Sequence, residues 1–235
     1  MTVRIRRVTT TRAGGASAPP FDTFNLGDHV GDDPAAVAAN RARLAKAIGL
    51  PQDHVIWMNQ VHGDHVEVVT EPRTDALENT DALVTTTPRL ALAVVTADCV
   101  PVLLGDARAG VVAGVHAGRV GAANGVVLRT VEAMLARGAH IADISVLLGP
   151  AVSGANYEVP AEMAAEVEAR LPGSRTRTAR GTAGLDLRAG IARQLSGVGI
   201  KAIDADPRCT FADPHLFSHR RGAPTGRLAS VVWME

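Results

Sequence analysis

Cysteine is scarce in this sequence: Cys99 and Cys209 are the only two among 235 residues, with no CxxC pair. That argues against a secreted fold stapled by disulfides. Aromatic residues make up 3% of the chain, with a single tyrosine, while hydrophobic residues reach 46%. The interior must therefore be aliphatic, built from Ala, Val, Leu and Ile. A charge surplus is missing too, because 24 Lys and Arg balance 24 Asp and Glu. Binders of nucleic acid or of membrane surfaces usually carry a basic excess. Small neutral or anionic metabolites are the expected partners, and no protein partner is predicted. Long apolar runs are absent as well. The most apolar stretch, Leu90 to Leu104, is too short to span a bilayer and carries Asp98 in its middle. Met1 to Arg7 lacks the apolar core of a signal peptide, so the expected location is the cytoplasm.

What is present reads as a mixture of strands and helices. Asp33-Pro34 followed by Ala35 to Ile48 and Gly49 predicts a helix with Asp at the N-cap, Pro at N1 and Gly past its end. A second helix is expected from about Gly121 to Arg137, a third after Pro160 and a fourth over roughly Leu187 to Val198. β-rich runs fall at 54–58, 65–70, 91–96, 101–104, 111–116, 144–148 and 228–234. Strands cluster and helices are fewer, which predicts a mixed α+β layered domain rather than strict βαβ alternation.

Two apolar runs, Val102-Leu-Leu104 and Val111 to His116, flank the loop Gly105-Asp-Ala-Arg-Ala-Gly110. They predict an antiparallel hairpin. Pairing Leu104 with Val111 would set Cys99 opposite His116 on one face, close enough to share a metal or a proton. A slip of one residue would separate them. Alone, Cys99 is as readily an inert buried thiol. Adding a second histidine gives a Cys/His₂ set with an open fourth position, as a catalytic zinc requires. Asn59-Gln-Val-His-Gly-Asp-His65 offers both His62 and His65 for that place, and the residues do not decide between them. Ala117-Gly-Arg-Val-Gly121 is either an anion-binding turn, with Arg119 adding charge, or a tight connection. His215 and His219 read as solvated loop residues.

Several motifs occur in order: Thr11-Arg-x-Gly-Gly15, Asn25-Leu-Gly-x-His-Val-Gly-Asp-Asp33, Asn59-Gln-Val-His-Gly63, Thr96-Ala-Asp-Cys99 and His116-Ala-Gly118. Gly149-Pro150, Tyr157-Glu-Val159, Leu185-Asp-Leu187, Cys209-Thr210, Ser218-His-Arg-Arg221 and Thr225-Gly-Arg227 follow. The set resembles the multicopper polyphenol oxidase or laccase-domain family, over nearly the whole chain, 1–235. Members of that family are associated with purine nucleoside phosphorylase and adenosine deaminase activity, and some are called peptidoglycan editing factors. The resemblance implies a single α+β domain with facing sheets and helices outside (α/β/β/α). It implies His62, Cys99 and His116 as metal ligands. It also implies phosphorolysis of adenosine, inosine and methylthioadenosine to free base and ribose 1-phosphate, with adenosine deamination at the same site. There are two departures. Arg119-Val120 stands where the family often has Trp-Arg, and Ala155-Asn156 replaces a frequent Cys-Cys pair.

Zinc suits deamination because it activates water for attack at purine C6. Phosphorolysis needs donors that place phosphate against the anomeric carbon. Arg12, Arg119 and Arg220 are the expected donors, with Asn25 and Gln60 orienting the ligand and Asp98 as acid/base or partner of a ligand. Copper-dependent polyphenol oxidation fits poorly: a four-copper enzyme is expected to use roughly ten histidines in His-x-His pairs, whereas this chain has eight and no such pair. A cysteine hydrolase acting on peptidoglycan precursors, with Cys99 as nucleophile and His116 as base, is the alternative.

Overall fold

Every residue of the strand Ala91–Thr96 is buried, because the strand is covered on both faces. Leu92 and Val94 meet Leu103 and Val112 from a second sheet. Ala91, Ala93 and Val95 meet Leu44 and Ala45 of a helix on the other side. Such double burial is why the sequence here is a continuous apolar run rather than an alternating one.

The computed structural model describes residues 2–235. Its elements are β1 (Ile5–Thr9), α1 (Pro34–Ala47), β2 (Val55–Ile56), β3 (Val66–Val68), β4 (Ala82–Thr85), β5 (Ala91–Thr96), β6 (Val100–Asp106) and β7 (Val111–Ala117). They continue with α2 (Arg119–Asn124), α3 (Val126–Leu135), β8 (Ile144–Leu148), α4 (Ala161–Arg170), β9 (Arg175–Arg177), β10 (Ala183–Leu185), α5 (Leu187–Gly197), β11 (Ala202–Ala205) and β12 (Leu228–Met234). One sheet has the order β1-β12-β5-β2, the other β11-β8-β6-β7-β4-β3, and β10-β9 form a ribbon. The six-stranded sheet turns Val102, Leu104 and Val115 outward onto Val127, Val131 and Met134 of α3 and Ile191 of α5. The layers are thus helix, sheet, sheet, helix, the α+β architecture expected. Gly114 lets the sheets approach, since a Cβ there would lie 3.2 Å from Val94 Cγ2. No helix among the described residues is long and apolar enough to cross a membrane.

The α1 expectation holds in detail: the Asp33 carboxylate accepts from Ala35 N at 2.9 Å, Pro34 opens the helix, and Gly49 follows with φ of 72°. The second helix differs. It starts at Arg119 and is broken into α2 and α3 by Gly125, whose φ of 89° no helix interior tolerates. The hairpin register also differs. Leu104 pairs with Ala113, Val102 with Val115 and Pro101 with His116. The strands run two residues further into the expected loop, so the whole ladder is displaced by two. An even displacement preserves which face each side chain occupies, and Cys99 stays on the side of His116.

Candidate metal centre

Three connections converge at one end of the sheets. β5 turns at Ala97-Asp98 into Cys99 and β6. β7 ends at His116-Ala117 before α2. The loop after β2 carries His62. Ligand atoms of His62, Cys99 and His116 all lie within 4.8 Å of one another, with His62 exposed, Cys99 half-buried and His116 buried. The two imidazoles meet edge to face, with centroids 4.7 Å apart. His65 points elsewhere and pairs with Glu67 at 3.0 Å. The geometry therefore separates two histidines that the sequence left open.

Asp81, at the start of β4, organises this arrangement and was not singled out from sequence. It is fully buried. Its carboxylate accepts from His62 N at 3.0 Å, Val61 N at 3.2 Å and Gly63 N at 2.7 Å. Oδ1 also accepts from His116 Nδ1 at 2.8 Å, and the Asp81 carbonyl accepts from His116 N at 2.8 Å. One residue thus holds both histidines. The three loop amides explain why His62 adopts a φ of 61°, a left-handed conformation costly for a residue with a side chain. Because Nδ1–H of His116 is committed to Asp81, its Nε2 faces the site and becomes a ligand atom once its proton is lost, the usual device for orienting a metal-bound histidine.

The donor chemistry fits a divalent metal. Burial pushes the Cys99 thiol up, but hydrogen bonds from His116 and His62 outweigh it and bring the group down to about 6. Burial alone would lower His116, yet its bonds to Asp81 and Cys99 raise it to about 9. Without a metal the site therefore holds a thiolate, a carboxylate and an imidazolium proton, which a dication can displace. Tetrahedral zinc would need its ligand atoms roughly 3.5 Å apart, within reach of this cluster. A thiolate with two imidazoles suits zinc or copper far better than magnesium or calcium. Gly118 supplies the floor: a Cβ there would lie 2.8 Å from His62 Cδ2 and 3.2 Å from Cys99 Sγ. Gly118→Ala is expected to destabilise the fold by about 1–3 kcal/mol through overpacking. Melting curves with and without metal should show the metal's own stabilisation shrinking as well.

The cluster opens on a cavity of about 550 Å³, a size suited to a small ligand. Of the residues expected from sequence, Gln60, Asp98, Arg119 and Arg220 line it together with His62, Cys99 and His116. Arg12 and Asn25 do not. Arg12 pairs with Asp22 at 3.1 Å and lies over the Phe217 ring. Asn25 is fully buried, donating to Gly27 O and Asp32 Oδ2 and accepting from Gly27 N and Arg227 N. Gln60 commits its whole amide to the backbone of Val95, donating at 2.8 Å and accepting at 2.9 Å. Asp98 accepts from Thr210 Oγ1 at 2.6 Å and from Arg220 N at 2.9 Å. Gly121 packs under the His62 loop, where a Cβ would lie 2.4 Å from Gly63 O, so the turn after His116 is closely packed while Arg119 reaches the cavity. Four further polar wall residues were not expected from sequence: His29, Tyr157, His219 and Arg227. For Tyr157 and Arg227, the Tyr-Glu-Val and Thr-Gly-Arg motifs were the available signal. His219, read as solvated, is exposed but sits on the cavity wall.

The sequence profile of the family described as multi-copper polyphenol oxidoreductase laccase matches residues 6–235. The chain belongs to this family. Its relatives in that family carry a different kind of name. A Mycobacterium tuberculosis H37Rv protein named purine nucleoside phosphorylase is 76% identical over 235 residues, covering 100% of this chain and 94% of that one. A Corynebacterium glutamicum protein of the same name is 59% identical over 232 residues, covering 98% and 94%. Among solved structures, YlmD from Geobacillus stearothermophilus superposes with a TM-score of 0.91 at 32% identity, covering 98% of this chain and 92% of that one. A Neisseria meningitidis protein gives 0.89 at 33% identity, covering 100% and 98%.

Proposed function

We propose that this chain is a zinc-dependent purine nucleoside phosphorylase. In this reading it converts adenosine, inosine and methylthioadenosine, with phosphate, to free base and ribose 1-phosphate or its methylthio counterpart. It also deaminates adenosine in the same cavity. The observation that carries the reading is the pairing of a three-ligand cluster with cationic walls. Arg119, Arg220 and Arg227 line the cavity, and none forms an ion pair with a carboxylate among the described residues. Unpaired guanidiniums facing one cavity favour an anion. The names of the relatives point to the same substrates.

Held by His62, Cys99 and His116, zinc would supply Lewis acidity at the base, as deamination at C6 requires. The chain's own groups do the rest. Arg119 and Arg220 bind phosphate and set one oxygen toward the anomeric carbon. As that C–O bond forms, the C–N bond to the base breaks and its electron pair leaves with the base. Val95, Ala97, Val152 and Leu187 give the cavity apolar walls against which the nucleoside packs. Asp98 and Gln60 act by position: one fixes the Arg220 backbone, the other the end of β5.

Purified protein should contain stoichiometric zinc and release base from adenosine and inosine only when phosphate is present. Chelation should remove both metal and turnover, and zinc should restore them. Base release that ignores phosphate, or turnover that survives full metal removal, would sink the proposal. The thiolate character of Cys99 beside His116 favours one second reading, a cysteine hydrolase. A free nucleophile would be alkylated by iodoacetamide in the metal-loaded protein, whereas a ligand would be protected.

A further inference from the structure

Tyr157 is the single tyrosine of the chain, and its surroundings leave one of its functions unused. The backbone is fixed on both sides, with Tyr157 N donating to Ser153 O at 2.9 Å and Leu185 N donating to Tyr157 O at 3.0 Å. The ring packs against the core that covers the outer face of the six-stranded sheet. The Arg220 guanidinium lies over the ring, 4.7 Å from its centroid, and donates to Glu158 O at 3.0 Å. Arg119 lines the same cavity and bears on the phenol electrostatically. Tyr157 therefore stands between two arginines on the cavity wall.

A phenol can donate one hydrogen bond and accept others, whereas a guanidinium can only donate. Neither arginine can take the phenolic proton, which needs another acceptor. Among the described residues no carbonyl, carboxylate or hydroxyl accepts it. Tyr157 lines the cavity together with Arg119 and Arg220, so a ligand bound there can supply the acceptor. An acceptor placed between Arg119 and Arg220 is anionic by the same geometry.

We propose that Tyr157 is a phosphate-recognition residue. Its ring supports Arg220, and its hydroxyl donates to the phosphate group that Arg119 and Arg220 clasp. This assignment takes its ligand from the phosphorolysis reading above, but its test does not depend on turnover.

The experiment uses the metal-loaded protein. Since Tyr157 has no tyrosine companion and Trp57 and Trp233 are buried, near-ultraviolet difference absorption reports on this phenol. Inorganic phosphate is expected to perturb that band in the wild type. Tyr157→Phe, which keeps the ring beneath Arg220, should abolish the signal. Calorimetry should show its phosphate affinity reduced about 10- to 100-fold, the loss of one hydrogen bond to a charged group. KM for phosphate should rise while KM for the nucleoside, zinc content and melting temperature hold. Tyr157→Leu should weaken phosphate further, because Arg220 loses its platform. Equal phosphate affinity in the wild type and Tyr157→Phe would overturn the proposal. So would silence of the wild-type band toward both inorganic phosphate and adenosine 5′-monophosphate. A response to adenosine 5′-monophosphate alone, weakened in Tyr157→Phe, would uphold Tyr157 as a phosphate reader and overturn phosphorolysis instead. Phosphate binding that depends on Tyr157 without any nucleoside turnover would separate the two ideas in the same way.

Discussion

Cys99→Ser is expected to empty the metal site and remove phosphate-dependent turnover together. The thiolate is the one ligand whose charge balances the metal directly, and it exists near neutral pH because His116 and His62 stabilise it. A serine hydroxyl retains its proton under those conditions and sits on a shorter side chain. Disturbing the partners behind a metal ligand already costs about 10- to 100-fold in affinity, so losing the ligand itself should cost more than about 100-fold. Competition with a chromogenic chelator measures the affinity, and base release with saturating zinc measures turnover. The fold should survive, since Cys99 lies at the rim, outside the apolar core. If the variant keeps its zinc and loses only turnover, Cys99 is a nucleophile and the metal assignment fails.

Asp81→Asn is expected to damage the site from behind and to weaken the fold as well. The substitution is nearly isosteric, yet it turns one of two acceptor oxygens into a donor. That oxygen faces the amides of Val61 and Gly63 or the ring of His116 and amide of His62. At least one buried donor must then confront another donor. The cost should be on the order of 3 kcal/mol, in the range for breaking charge-assisted bonds in a buried setting. Metal affinity should fall about 10- to 100-fold as His116 loses its orientation and basicity. Denaturant melts of metal-free protein read the first quantity, and chelator competition reads the second. An Asp81→Asn protein that melts normally but binds metal poorly would assign the carboxylate to metal tuning alone. One that binds metal normally would remove it from the site.

The role of Asp81 also shows where sequence reasoning stops. Patterns within a few residues were legible: the cap of α1, the buried run of β5 and the Cys99/His116 pairing. The hairpin survived an error of two residues because faces repeat with that period. Strand β1 was not expected because Arg6 and Arg7 interrupt its apolar character. It is an outer strand, paired only with β12, where half its surface meets solvent. The break at Gly125 was hidden because one glycine within an apolar helical pattern is compatible with continuation. Asp81 leaves no comparable trace. Its partners come from residues 61–63 and 116, and an aspartate before an apolar strand looks like any turn residue. Likewise, the commitment of Gln60 to Val95 and of Asp98 to Thr210 and Arg220 depends on which loops meet in space.

Strand β12 lies between β1 and β5, bonded to both. A nascent chain in which residues 228–234 have not yet emerged therefore holds an open slot in its four-stranded sheet. Two strands then present unpaired edges, the kind of template on which chains pair wrongly. Arg227 borders the cavity immediately before that strand, and Asn25 is tied to its backbone. Completion of the sheet and closure of the cavity wall thus become one event during synthesis. Until then, the backbone edges of β1 and β5 that β12 covers stay unpaired.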